Sequence, residues 1–339
     1  MYTARSSLAA DEEGKNMDPM KGIKLHHIDH QTPGSFDISF LNRDVAEEIR
    51  SYHASFPMYD ETPLVELKEF AKKVGVKEIF VKDESCRFGL NAFKVLGGSY
   101  ALGKVVAEKL GEELKELPFE RLVSEEIRAK LGEVTFVTAT DGNHGRGLAW
   151  TANQLKQKSI VYMPAGSAQE RVDNIAKEGA KVVVTEVNYD EAVRMANQLA
   201  EENGYVIIQD TAWEGYEKIP NWIMQGYMTM AYEIEHKLTS MRKAPTHVFL
   251  QAGVGSLAGA VTGYLSNVYP GESKPIITIV EPDSVACIYE STVAGERVLI
   301  GGDYFTIMAG LACGEPNTVG LKVLLDYAEI GRASWRERV

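Results

Sequence analysis

Four stretches bring together residue types that could do chemistry. In residues 84–99, Lys94 sits where irregular chain turns into a helical pattern, among Phe93, Val95 and Leu96. Apolar neighbours strip water from a lysine amine, lower its proton affinity and make it a usable nucleophile. The same position also suits an ordinary surface lysine at a helix start. Gly253-Val254-Gly255-Ser256-Leu257 lies between a strand pattern and a helical one. Backbone N–H groups at a helix N-terminus, unobstructed by side chains, form a cradle for a phosphate. A tight turn that needs glycine for its dihedrals reads the same way. With Gly259 the spacing is G-x-G-x-x-x-G rather than the dinucleotide G-x-G-x-x-G, and no Lys-Ser or Lys-Thr pair follows as a Walker loop requires. Thr140, Asp141 and Asn143 stand at the carboxyl end of one strand pattern, and Asp210 at the end of another. Ligands gather at such strand ends in open α/β sheets, where Asp and Asn also serve as caps and turn residues. His144, at a helix entrance, reads as structural or as support for a neighbour. His26, His27 and His30 lack partners for a metal site.

The elements that would position these residues follow a regular order. From residue 134, strands at 135–139, 159–163, 181–185 and 205–209 alternate with helices at 145–157, 169–178 and 189–203. A long helix at 222–241, a strand at 246–251, a helix at 256–268 and a strand at 275–280 follow. Upstream lie a helix at 44–52 capped by Asn42, a helix at 67–74, a strand at 79–81, and helices at 100–114 and 119–131. Near-continuous apolar strands that alternate with helices imply a parallel sheet covered on both faces. The expected fold class is α/β with two doubly wound lobes.

Composition narrows the function. The chain has 339 residues, 45% hydrophobic and 25% charged, enough for one large or two medium domains. A net charge of -12 argues against a general affinity for nucleic acid or an anionic membrane. Cys86, Cys287 and Cys313 lie far apart without a C-x-x-C pair, so neither a disulfide framework nor a zinc site is expected, and a reducing cytoplasm is the simplest home. No apolar run approaches the ~18–20 residues of a membrane span. Residues 1–35 are polar, lack the apolar segment of a secretory signal, and are expected to be a disordered leader. Residues 329–339 lack apolar periodicity and are expected to be a non-native tail outside the fold.

Taken in order, Lys94 in Asn91-Ala92-Phe93-Lys94, the loop at Thr140-Asp141-Gly142-Asn143 and the glycine loop at Gly253 resemble the fold-type II pyridoxal-phosphate enzymes. Longer strings sharpen this. Val81-Lys82-Asp83-Glu84-Ser85, Asn143-His144-Gly145-Arg146-Gly147, Gln209-Asp210-Thr211-Ala212-Trp213-Glu214-Gly215-Tyr216 and Met308-Ala309-Gly310-Leu311-Ala312-Cys313-Gly314-Glu315-Pro316 are similar to the diaminopropionate ammonia-lyases. The resemblance spans residues 57–327. It implies a carbon–nitrogen lyase that converts 2,3-diaminopropionate, as the L and also the D isomer, to pyruvate and two ammonia. Pyridoxal 5'-phosphate would be held covalently by Lys94, with Asn143 on its ring hydroxyl oxygen, Phe93 as a wall and Gly253, Val254, Gly255, Ser256 and Leu257 around its phosphate. Asp141 and Asp210 would be the acid–base pair, with Lys94 the base for the L isomer and Asp141 for the D isomer. A small-molecule amino-acid substrate, a cytoplasmic homodimer, and no nucleic-acid or membrane partner complete the expectation. Residues 36–98 and 212–328 would form the large cofactor-binding domain and residues 99–211 the small one. The resembled proteins continue past residue 328 with a Ser-Gly-Glu-Ser-Gly-like stretch near the pyridine nitrogen. Nothing after Tyr327 matches it, so the chain is expected to be C-terminally truncated and weakly active. The rivals are a serine or threonine dehydratase of the same cofactor class, a catalytically inactive fragment that only binds, and, more distantly, a nicotinamide dehydrogenase.

Overall fold

A computed structural model describes residues 26–28, 34–140, 142–302, 306–328 and 330–335. After β1 (His26–His27), α1 (Arg43–Ala54) opens at Asn42, whose side chain accepts the Val45 N–H at 2.9 Å. β2 (Leu64–Glu66) and β3 (Phe80–Lys82) pair antiparallel around α2 (Lys68–Val74). α3 (Lys94–Leu110) has Lys94 as its first residue. The single helix expected at 119–131 is two, α4 (Phe119–Leu122) and α5 (Glu125–Leu131). Ser124 breaks it, because its hydroxyl accepts the Ile127 N–H and starts a new helix.

The alternating half follows the expected pattern. β4 (Thr135–Ala139), α6 (Asn143–Gln154), β5 (Lys158–Met163), α7 (Gln169–Lys177), β6 (Lys181–Val184), α8 (Tyr189–Asn203) and β7 (Val206–Ile207) succeed one another. Their strands form a parallel sheet in the order β6-β5-β4-β7. Both faces are covered, as the alternation of side chains shows. Val137 and Ile160 pack with Ala192 and Ala196 of α8, whereas Val161 packs with Ala149 of α6 and Ile175 of α7.

The rest of the chain carries α9 (Lys218–Ser240), β8 (His247–Gln251), α10 (Ser256–Val268), β9 (Ile276–Pro282), α11 (Cys287–Ala294), α12 (Thr318–Tyr327) and β10 (Ile330–Trp335). A second sheet runs β1-β10-β9-β8, parallel except for β1. Two expectations change here. The backbone of residues 330–335 pairs with β9, so that part of the tail lies in the sheet. The leader is tied in at His26–His27 through β10. Residues 98 and 99, expected to flank a domain boundary, lie within α3.

The core holds the start of α3 between two helices. A Cβ added at Gly226 of α9 would lie 2.5 Å from the Leu96 carbonyl oxygen, and one at Gly147 of α6 would lie 2.8 Å from the Val95 Cα. Only hydrogen fits at either contact, so backbone meets backbone on both sides of the residues that follow Lys94.

Candidate functional site

Lys94 leaves the N-terminus of α3 and reaches the loop after β7. Its Nζ donates to Asp210 Oδ2 at 2.8 Å. Its side chain keeps 19% of its surface exposed, whereas Asp210 keeps 5%. Burial alone would raise the Asp210 carboxyl. The charges of Lys94 and His144 and the hydrogen bonds from Lys94 and Tyr189 outweigh it and hold the group at about 2. Asp210 is therefore a fixed anion at neutral pH.

Other groups close around that anion. The Tyr189 hydroxyl donates to Oδ1 at 3.3 Å, and so does Gln209 Nε2 at 3.3 Å. The Ser256 hydroxyl donates to the Asp210 carbonyl at 2.5 Å and accepts from Asn317 Nδ2 at 2.8 Å, which fastens the loop to α10. His144 Nε2 bonds the Ile208 carbonyl at 2.8 Å, while its buried Nδ1 stands 3.9 Å from Asp210 Oδ2. The Tyr227 hydroxyl, buried on α9, has no hydrogen-bond partner among the described residues. Its ring meets Phe93 edge-on, with centroids 5.2 Å apart. Burial and the nearby Asp210 charge push this hydroxyl well above its ordinary range, so it remains a proton donor.

The glycine loop forms the opposite wall. Gly255 precedes α10 with φ +94, a conformation that side chains resist. The turn leaves the N–H groups of residues 253–257 unpaired with protein carbonyls among the described residues. α12 packs against this loop so closely that a Cβ at Gly320 would lie 2.9 Å from the Gly255 carbonyl oxygen. The loop thus ends in a rigid ring of donors at a helix N-terminus, an anion site by construction.

One cavity of about 160 Å³ gathers these parts. Phe93, Lys94, Asn143, Asp210, Gly253, Val254, Gly255, Ser256 and Leu257 all line it. Asp141 lies outside the described residues. Sequence reasoning missed Tyr189, Tyr227, Gln251 and Cys313, which line the cavity from α8, α9, the end of β8 and the segment before α12. The two tyrosines sit inside ordinary amphipathic patterns, so no local signal marks them.

The residues fit a cofactor with a carbonyl group for the amine and a phosphate for the cradle. A lysine amine at the cavity, a fixed carboxylate and an anion-binding helix start, brought together in an α/β fold, define a pyridoxal-phosphate enzyme. The family model for pyridoxal-phosphate dependent enzymes matches residues 56–334. Diaminopropionate ammonia-lyase of Escherichia coli (strain K12) is 53% identical over 307 residues, 90% of this chain and 76% of that protein. The Salmonella typhimurium enzyme is 50% identical over 292 residues, 85% of this chain and 72% of that one. The crystal structure of the Escherichia coli enzyme in complex with D-serine superposes with a TM-score of 0.85 at 46% identity, covering 92% of this chain and 77% of that one. The chain belongs to the pyridoxal-phosphate-dependent enzyme family and, within it, to the diaminopropionate ammonia-lyases. Its cofactor is pyridoxal 5'-phosphate.

Proposed function

We propose that the chain eliminates ammonia from 2,3-diaminopropionate, releasing pyruvate and a second ammonia. The observation that carries this is the Lys94–Asp210 pair, 2.8 Å apart and facing the glycine cradle across one cavity. Kinship of about half identity to proteins of that activity supports the substrate. When bound, the cofactor makes the substrate Cα proton acidic by storing the electrons it leaves behind. The chain's own residues do the rest. The amides of residues 253–257 would bind the cofactor's phosphate, Asn143 would hydrogen-bond the hydroxyl oxygen of its ring, and Phe93 would form a wall. Lys94 holds the cofactor and takes the Cα proton of the L isomer, and Asp141 takes that of the D isomer. Asp210 keeps its negative charge and stabilises the substrate's β-ammonium, so that this amine departs as neutral ammonia. A carboxylate suits a diamine, with its second cation, better than it suits a hydroxy amino acid.

No helix among the described residues is long and apolar enough to cross a membrane. A cytoplasmic homodimer is part of the proposal, as is the division into a cofactor lobe and a smaller lobe. The purified chain loaded with pyridoxal phosphate is expected to release pyruvate from 2,3-diaminopropionate far faster than it turns over serine or threonine. Lys94→Ala is expected to abolish the absorbance of covalently held cofactor and cut turnover at least about 10³-fold, roughly 4 kcal/mol in the barrier. Faster turnover of serine or threonine would replace this reading with the dehydratase one. Absorbance without turnover of any of the three would replace it with the inactive binding protein.

A further inference from the structure

Gln209 is fully buried at the point where β7 stops. Its Oε1 accepts the Ala139 N–H at 2.9 Å and the Thr138 hydroxyl at 2.9 Å. Its Nε2 donates to the Ala139 carbonyl at 3.0 Å, the Tyr189 hydroxyl at 3.0 Å and Asp210 Oδ1 at 3.3 Å. The side-chain amide thereby continues the pairing with β4 that the backbone of β7 ends at Ile207. Its orientation is forced. A flipped amide would set N–H against the Ala139 N–H, and oxygen against both the Ala139 carbonyl and the Asp210 carboxylate. The end of β4 therefore decides that the amide NH2 points at Asp210 and Tyr189.

We propose that Gln209 is a positioning residue for the elimination. It turns Asp210 so that Oδ1 is held by Gln209 and Tyr189 while Oδ2 faces Lys94. It also ties the Asp210 loop to the end of β4, from which Thr140 and Asn143 enter the same cavity. This rests on the functional reading above. The ionisable groups that face Asp210 are Lys94 from α3, His144 from α6, Tyr189 from α8, Tyr227 from α9 and Tyr216.

The test uses Gln209→Met, which removes every hydrogen bond at similar length, and Gln209→Glu, which keeps the acceptor and loses the donors. In the full chain without cofactor, carbon-13 NMR of the aspartate carboxyls, assigned with Asp210→Asn, reads the Asp210 titration. It is expected to rise from about 2 by roughly one unit in Gln209→Met and further in Gln209→Glu, where a second carboxylate faces the first. In the loaded chain, kcat for 2,3-diaminopropionate is expected to fall by about tenfold to a hundredfold, with KM changed much less. Thr138→Val, which removes one bond to Oε1 and none to Asp210, is expected to keep full turnover. An Asp210 titration and a kcat unchanged in both Gln209 variants would overturn the proposal. If the loaded wild-type chain releases no pyruvate, the functional reading falls and the titration alone decides the positioning. If both variants fail to fold, exchange of the Gln209 side-chain NH2 in the wild type decides: slow exchange supports the clamp and solvent-rate exchange overturns it.

Discussion

Two buried charge clusters flank the segment that carries Lys94, and they are built on opposite rules. In the first, Arg87 donates to both carboxylate oxygens of Glu84, both of Glu233, the Thr62 hydroxyl and the Asp60 carbonyl. Lys82 adds a second cation against Glu233 at 2.6 Å, and the Tyr59 hydroxyl donates to Glu233 at 2.7 Å. Charges balance and every Arg87 donor group is used. In the second cluster, Lys94 and Asp210 also pair, and the Lys94 side chain stays partly exposed where it lines the cavity. His144 Nδ1 and the Tyr227 hydroxyl have no hydrogen-bond partner among the described residues. A saturated cluster can only hold the chain in place, whereas one with unused valence can receive a ligand.

Breaking the saturated cluster should therefore cost stability, and the largest effect is expected at its hub. Arg87→Met leaves Glu233 buried with Lys82 as its remaining cation, and should cost about 3–5 kcal/mol in denaturant unfolding. A loss under about 1 kcal/mol would mean the two clusters do not differ in kind. His53 sharpens the contrast through pH. Burial, reinforced by the nearby Arg87 charge, holds this histidine down at about 3, so it is neutral in the fold. An unfolded histidine titrates near 6.5. The stability it contributes is thus full above about pH 6.5 and is lost as pH falls toward 3, about 3 kcal/mol by pH 4. His53→Gln should flatten that acid limb, and an unchanged limb would place the loss elsewhere. The smallest stability effect is expected in the open cluster. Asp210 is depressed to about 2 from an ordinary 3.8. Its contribution is present above the ordinary value, lost as pH falls through the folded one, and worth about 2 kcal/mol. Asp210→Asn should remove that much in the cofactor-free chain at neutral pH, yet cut turnover at least about a hundredfold in the loaded one.

Much of this was legible in the sequence because the signals are local. Residues 135–139 are a strand in both descriptions, and residues 189–203 and 256–268 are helices in both. Lys94 stood out at a helix start, and Asp210 and the glycine loop at strand ends. Two misread element boundaries share one cause: side chains that act as backbone. The strand expected at 205–209 is only Val206–Ile207, because the Gln209 amide does the last pairing. Ser124 splits a helix in the same manner. Residues 330–335 have no apolar alternation, so their pairing with β9 could not be seen in composition. Tyr189, Tyr227 and the Arg87 hub converge from distant elements, and spacing along a chain carries no record of that.

The glycine contacts that pin α3 between α6 and α9 have a kinetic consequence. With backbone against backbone on both sides of Leu96 and Val95, the start of this helix has no room to shift. Any travel of the Lys94 amine must come from rotation about the bonds of its flexible stem. Rotations of that kind run in picoseconds to nanoseconds where a side chain is partly exposed. The amine's approach to the cavity is therefore set by side-chain torsions and by its bond to Asp210, not by travel of the helix.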